Sequence, residues 1–324
     1  MEEDEALAIL DQMRIEIDAY LEALIEEKSQ IYGEVAIRSG EVLLAGGKRL
    51  RPIMVLLAYE MAGGQNPEEV MPLALAFELI HTATLVHDDI NDQADTRRGQ
   101  PTIHSQAGEA KAIIAGDWLF VQGFGLGGRY REEVVDVMAN CCAQIASSEF
   151  HQLDHIMDLT TTPEDYLEVV KGKTAGPFSA GCEGAVMIAR KSKLHSDALA
   201  NFGLELGVAF QLVDDLLDIK GDMRMGKPRG ADVYEGKMTL PLIHALTLLH
   251  SDERVRLGAI LADFKDEYFE ELIELLQRSD SLSYVEILVE NHLERAMESL
   301  KIFDESEAKN LMKYIVSKVG SRHY

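Results

Sequence analysis

Cysteine is nearly absent. Cys141, Cys142 and Cys182 are too few, and too irregularly spaced, for a disulfide framework or a thiolate zinc site, and they read as small buried hydrophobes. No apolar run approaches the roughly 20 residues needed to span a bilayer. The opening MEEDEALAIL lacks the positive n-region and cleavage site of a secretory leader, so a soluble, cytoplasmic protein is expected. Basic residues are scarce too: 31 Lys and Arg stand against 56 Asp and Glu, a net charge of −25. That balance argues against nucleic acid or an anionic membrane as partner, because both need a broad basic field. Ser/Gly-rich and Pro-rich linkers, repeats of fixed period and strand-like alternation are all missing. One domain over residues 1–324 is expected.

What is present is helical periodicity. Leu7, Leu10, Ile17, Leu21 and Leu24 share one face near the start, and Ile287, Leu288, Leu293, Met297 and Leu300 do so near the end. Thr162-Pro163-Glu164-Asp165 reads as an N-cap, a proline in the first turn and acids behind it. Gly46-Gly47 and Gly63-Gly64 read as helix stops. An all-α bundle of roughly ten or more helices follows.

The few basic residues cluster at Lys48-Arg49-Leu50-Arg51, Arg97-Arg98, Lys171 to Lys173 and Lys227-Pro228-Arg229, with Lys237 beyond. In so acidic a chain such clusters suggest a compact anionic ligand. Two aspartate clusters accompany them. Asp88, Asp89 and Asp92 follow an apolar helix, and Asp214, Asp215 and Asp218 repeat the pattern 126 residues later. Asp88 and Asp92 share a helix face, where like charges cost roughly 0.2–0.5 kcal/mol, so something must compensate. Buried carboxylates need cations to stay ionised, and magnesium is the natural hard ion for oxygen ligands, water and phosphate. Two facing helices of this kind would leave coordination positions for a bridging diphosphate.

With these motifs in order, the chain resembles the trans-isoprenyl diphosphate synthases of the polyprenyl synthetase family. The likeness is carried by Gly46-Gly47-Lys48-Arg49-Leu50-Arg51-Pro52, the first aspartate motif running into Arg97-Arg98-Gly99, Gly172-Lys173-Thr174, Phe210-Gln211 before the second aspartate motif, and Gly226-Lys227-Pro228 followed by Glu235-Gly236-Lys237. It implies a single-domain antiparallel helical bundle around a deep central cavity, the isoprenoid synthase fold, usually as a homodimer. The implied reaction joins isopentenyl diphosphate to an allylic diphosphate with two or three Mg2+ ions per active site. Position by position, Asp88, Asp89, Asp92, Asp214, Asp215 and Asp218 match the metal ligands. Arg97, Lys173, Thr174, Gln211, Lys227 and Lys237 match the allylic diphosphate site, and Lys48, Arg51, His81 and Arg98 the isopentenyl diphosphate site.

Phe210, one turn before Asp214, either faces the allylic cation or is an ordinary core aromatic. His87 reads as a core histidine, and His151, Asp154, His155 and Asp158 as a solvated helix face despite zinc-like spacing. Gly172-Lys173-Thr174 is not a nucleotide loop, since a Walker motif needs glycine where Leu167 stands. For product length, the face below Asp88 runs through Thr84, Ile80, Phe77 and Leu73. The family's short-chain members carry a bulky aromatic four or five residues before the first aspartate, and here those positions are Thr84 and Ala83. The resemblance therefore implies a product of C20 or longer, with Phe77 the next bulky residue down and a Phe at Ala83 expected to shorten the product. A terpene cyclase or a non-catalytic prenyl-diphosphate-binding regulatory subunit are the competing readings. A cyclase's second metal motif usually mixes Asn, Ser or Thr with Glu, and regulatory subunits commonly lose one aspartate motif.

Overall fold

The computed structural model describes residues 1–221 and 229–321. Sixteen α-helices follow one another among the described residues: α1 (Glu3–Tyr32), α2 (Glu34–Leu43), α3 (Leu50–Met61), α4 (Met71–Asn91), α5 (Ile103–Ala107), α6 (Glu109–Gly127), α7 (Glu132–Asp154), α8 (Pro163–Val170), α9 (Gly176–Ile188), α10 (Lys193–Lys220), α11 (Ala231–Tyr234), α12 (Leu240–Leu248), α13 (Ser251–Ala262), α14 (Phe269–Arg278), α15 (Ser281–Ser299) and α16 (Glu307–Gly320). The all-α expectation is met. None of these helices is long and apolar enough to cross a membrane. One feature departs from it: strands β1 (Thr96–Arg97) and β2 (Gln100–Pro101) pair antiparallel. Two residues per strand leave no alternation to read. The hairpin is made by its turn, where Arg98 and Gly99 both hold left-handed backbone, φ 52° and 76°.

Local signals explain several helix starts. At α8 the Thr162 hydroxyl accepts from the Asp165 N–H at 3.2 Å while the Asp165 carboxylate accepts from the Thr162 N–H at 2.9 Å, a reciprocal capping box with Pro163 as first helical residue.

The chain forms two compact units. The first comprises Met1–Asn140, Ala180–Leu199 and Phe303–Tyr314. Its centre is α4, buried on nearly every side by Leu73, Leu75, Phe77, Leu79, Ile80, Ala83 and Val86, the pattern of a helix inside a core rather than on its surface. Helix α6 lies close along α4 because it presents small residues. A Cβ on Gly123 would stand 2.9 Å from Ile80 Cγ1 and 3.1 Å from the Ala76 carbonyl oxygen, so the two backbones approach only because glycine is there. The second unit comprises Cys141–Ser179, Ala200–Ile302 and Ile315–Tyr324. There α10 buries Leu206, Ala209, Leu212, Val213 and Leu216, and α12 packs against α15 and α14.

Replacing Gly123 by Val should destabilise the protein by about 1–3 kcal/mol, the usual effect of overpacking against rigid backbone. Urea unfolding is expected to show a lower midpoint at an unchanged slope.

Candidate active site

In the first unit, the apolar run of α4 ends in acids. Asp88 and Asp89 lie in its last turn, and Asp92 is the capping residue, its N–H bonded to the Asp88 carbonyl at 2.8 Å. The C-terminal end of a helix carries the negative pole of its dipole, so three carboxylates there are doubly disfavoured unless a cation answers them. One partner is Arg97, brought back by the hairpin, whose Nε donates to Asp89 Oδ1 at 2.6 Å. Asp89 is only 3% exposed. Burial pushes its carboxyl up and Arg97 pulls it back, with the upward effect larger.

Beside these acids lies a basic pocket. The His81 ring sits one turn and more before Asp88 on α4, and burial, then the charges of Arg51, Arg98, Arg97 and Arg49, hold its pKa well below the ordinary value. It is neutral at physiological pH, able to donate from one ring nitrogen and accept at the other. Arg98 donates to the Gly46 carbonyl and lies over Gly47, where a Cβ would stand 3.2 Å from its Nη1; Gly47 itself holds φ 146°. The loop between α2 and α3 is thus pinned from one side by Arg98. Lys48 stands exposed on it and Arg51 is half-buried in the first turn of α3. A cavity of about 450 Å³ opens here, lined by Arg97, Arg98, Asp89, Leu85, Arg38 and Gln106 among others. Of the residues expected at the isopentenyl diphosphate site, Arg51, His81 and Arg98 therefore gather, with Lys48 on the same loop.

The second unit carries the other motif, also near the C-terminal end of its helix, α10. Asp214 is exposed and Asp215 is 2% exposed. Both Asp215 oxygens are engaged: Oδ2 accepts from the Tyr166 hydroxyl at 2.5 Å and Oδ1 from Gln211 Nε2 at 2.8 Å, while Gln211 Oε1 accepts from Thr174 at 2.9 Å. Burial and then Asp232 drive the Asp215 carboxyl well above its usual range, against the two hydrogen bonds. The Asp218 carboxylate accepts the N–H groups of Ala231 and Asp232, at 3.0 and 3.2 Å. Asp232 is pushed up to about 7, first by burial and then by Asp218. Lys173 lies in a five-residue π-helical turn, Lys171–Ala175, of the kind that often marks functional positions. Its ammonium meets Glu149 at 2.5 Å and Gln152 at 2.8 Å. Lys237 pairs with Glu235 at 2.5 Å. Phe210 is half-buried with its ring centroid 6.2 Å from that of Phe178. Lys227, with Gly226 and Pro228, lies outside the described residues.

Sequence reasoning missed three participants. Tyr166 and Asp232 surround the second motif without belonging to any spacing pattern, and Arg49 was seen only as one more basic residue in a cluster. The signal for Asp232 would have been a further acid, after Asp222, in an otherwise glycine-rich, basic stretch behind the motif. His87 fills the groove left by Gly116 and places Nε2 3.2 Å from the Ile113 carbonyl oxygen. His155 lies 3.2 Å from the Thr161 hydroxyl and 3.7 Å from Asp158, and the exposed His151 lies 3.7 Å from Glu168.

The donor set fits a hard divalent cation. Every candidate ligand is a carboxylate, both groups sit at negative helix ends, and burial followed by neighbouring acids raises the carboxyls of Asp215, through Asp232, and of Asp232, through Asp218. Among the described residues no three His, Cys, Asp or Glu side chains converge on one point.

An all-helical frame carrying two acidic helix ends and a basic, neutral-histidine pocket defines the isoprenoid synthase class of diphosphate-handling enzymes. Residues 35–276 match the polyprenyl synthetase family, and the chain belongs to that family. It is 34% identical to a short chain isoprenyl diphosphate synthase of Methanothermobacter thermautotrophicus, over 98% of this chain and all of that one. Among solved structures it is similar to a polyprenyl synthase from Caulobacter crescentus complexed with calcium and isoprenyl diphosphate, with 32% identity, TM-score 0.89 and 97% of each chain covered. A decaprenyl diphosphate synthase from Rhodobacter capsulatus is similar at 34% identity and TM-score 0.88, covering 98% of this chain and 99% of that one. The protein is a prenyltransferase.

The raised Asp232 pKa has a stability consequence. In the unfolded chain this carboxyl titrates near 4, so folding takes up a proton between about pH 4 and 7. The resulting stabilisation is complete below about pH 4 and is lost as pH rises through about 7. In chelator, thermal melts of the Asp232→Asn variant should therefore lose less stability between pH 5 and 8 than the parent. Added magnesium should stabilise the parent more at pH 8 than at pH 5, because protons compete for the same oxygens.

Proposed function

We propose that the protein is an all-trans polyprenyl diphosphate synthase that condenses isopentenyl diphosphate with an allylic diphosphate to give products of C20 or longer. The observation that carries this reading is the cluster in which Arg51, Arg97 and Arg98 lie close enough to His81 to act on its charge, with Arg97 and Arg98 also lining a cavity beside Asp89. It offers a second diphosphate a site built of fixed cations, which a terpene cyclase has no use for. Residues 1–324 are read as one polyprenyl synthetase domain.

Asp88, Asp89, Asp92, Asp214, Asp215 and Asp218 would hold Mg2+, two or three ions per site. Asp215 and Asp89, already bonded within the protein, shape their sites more than they reach out of them. Magnesium, when bound, supplies Lewis-acid stabilisation of the charge that develops on the leaving diphosphate. The remaining work belongs to the chain. Lys173, Lys237 and Arg97, with Lys227, bind the allylic diphosphate and oppose the growing negative charge, most strongly in the ionised transition state. Thr174 and Gln211 orient Asp215 and complete the polar wall. Phe210 offers a ring face to the allylic cation, on the order of 0.5–2 kcal/mol of attraction. Lys48, Arg51 and Arg98 neutralise isopentenyl diphosphate, while uncharged His81 supplies a hydrogen bond and adds no repulsion among the arginines. The isopentenyl double bond attacks the allylic carbon, and the proton lost from the adduct goes to the departing diphosphate.

Product length is read from α4. Ala83 is fully buried, Ile80 is packed over Gly123 of α6, and Phe77, 1% exposed, lies against the Gly181 backbone on another side. Thr84 is half-buried, one turn from Asp88, and carries no bulk. An elongating tail passes it first. Helix α6 also exposes Ile113, Ile114, Val121 and Phe124, an apolar surface that supports a homodimer.

Incubation with isopentenyl diphosphate, Mg2+ and dimethylallyl, geranyl or farnesyl diphosphate, followed by chromatography of the dephosphorylated products, should yield linear alcohols of C20 and beyond; cyclic products would contradict the reading. Asp88→Ala and Asp214→Ala should each lose at least about a hundredfold in turnover. Thr84→Phe should shorten the product, and it is a cleaner test than a Phe at fully packed Ala83, where overpacking would cost about 1–3 kcal/mol. An unaltered product distribution would remove Thr84 from the tail's path.

A further inference from the structure

The family match begins at residue 35, so helix α1 lies outside it. Yet α1 reaches the basic pocket through one buried arginine. Arg49, 3% exposed, engages each of its three guanidinium nitrogens: Nε donates to Asp18 of α1 at 2.8 Å, Nη1 to Glu78 of α4 at 2.7 Å, and Nη2 to the carbonyl of Leu43, which ends α2, at 2.7 Å. Asp18 is in turn held by Arg14 of its own helix, at 3.0 Å from the other oxygen.

The position of this fork matters. Arg49 opens α3 with left-handed backbone, φ 50°, one residue after Lys48 and two before Arg51. Glu78 stands on α4 three residues before His81. The guanidinium therefore sets the loop bearing two of the substrate-binding cations against the helix bearing the neutral histidine, while Arg98 holds the same loop at Gly46. A rigid fork with planar, bidentate-type geometry is suited to this, and a side chain of lesser reach or fewer donors is not. Removing Asp18 would leave Arg49 anchored to Glu78 but with an unanswered Nε, so the loop would settle in a wider set of positions.

We propose that Asp18, on the N-terminal helix, is a positioning residue for the isopentenyl diphosphate pocket, acting through Arg49 on Lys48 and Arg51. The proposal rests on the diphosphate reading of that pocket. Asp18 is itself about one-fifth exposed, and the melting temperature of each variant separates a positioning effect from a loss of stability.

The test is steady-state kinetics of Asp18→Asn, Asp18→Glu and Arg14→Gln in the full chain, with Asp4→Asn on the same helix as control. Asp18→Asn should raise the KM for isopentenyl diphosphate about tenfold while kcat and the allylic KM stay within about twofold, the scale of one lost charge-assisted hydrogen bond felt by a single substrate. Asp18→Glu should recover most of the loss, Arg14→Gln should raise the same KM about two- to threefold, and Asp4→Asn should match the parent. An unchanged isopentenyl KM in Asp18→Asn overturns the proposal. So does a loss shared equally by kcat and both KM values in step with a lower melting temperature, which is what a structural role alone would give. If the parent elongates no primer, the proposed function fails by itself, and titration calorimetry with isopentenyl diphosphate decides the positioning role: weaker binding by Asp18→Asn supports it and equal binding overturns it.

Discussion

Like charges at the wrong end of a helix are the constraint around which this protein is arranged. Both aspartate motifs lie near the C-terminal ends of long helices, α4 and α10, where the backbone already presents its negative pole. Nothing in the intrinsic preferences of the chain favours such an arrangement. Each motif is answered differently. At α4 the hairpin returns Arg97 to Asp89. At α10 the answer is a set of hydrogen-bond donors, Tyr166, Gln211 and the N–H groups of Ala231 and Asp232, and the Asp215 and Asp232 carboxyls stay elevated, first by burial and then by neighbouring acids. A site that concentrates buried carboxylates in this way suits a metal ion.

The opposite problem occurs in the basic pocket. Four arginines around His81 repel one another and any proton on the ring, and the protein meets this by burying Arg49 among two carboxylates and a carbonyl while keeping the histidine neutral. The remaining positive charge is directed at a cavity. Acid and base are thus kept on adjoining elements in the first unit, with Asp89 and Arg97 marking the boundary.

Much of this was legible in the primary structure because it depends on short-range pattern. The helical class followed from apolar spacing, the start of α8 from Thr162-Pro163, and the candidate acidic and basic site residues from ordered motifs, since a motif of four or five residues on one helix places its side chains by helical geometry alone. The single turn of strand at Thr96–Pro101 was not legible, because a two-residue ladder has no period and its turn uses Arg98 where asparagine or aspartate would have signalled it. The division of the face below Asp88 was also invisible. Spacing put Thr84, Ile80 and Phe77 on one line, but which neighbour each meets depended on where α6 and α9 supply glycine.

The sequence by itself determined the helical class, the acidic charge balance and the candidate residues for the chemistry, all of which rest on composition or on patterns a few residues long. Only the tertiary structure decided how those residues are held: Asp18 reaching Arg49 across 31 positions, Tyr166 reaching Asp215 across 49, and His81 held to a low pKa by burial and then by arginines from separate segments. The physical reason is that burial and charge proximity are properties of where distant segments meet, and packing of whole elements, rather than any local preference, chooses that meeting place.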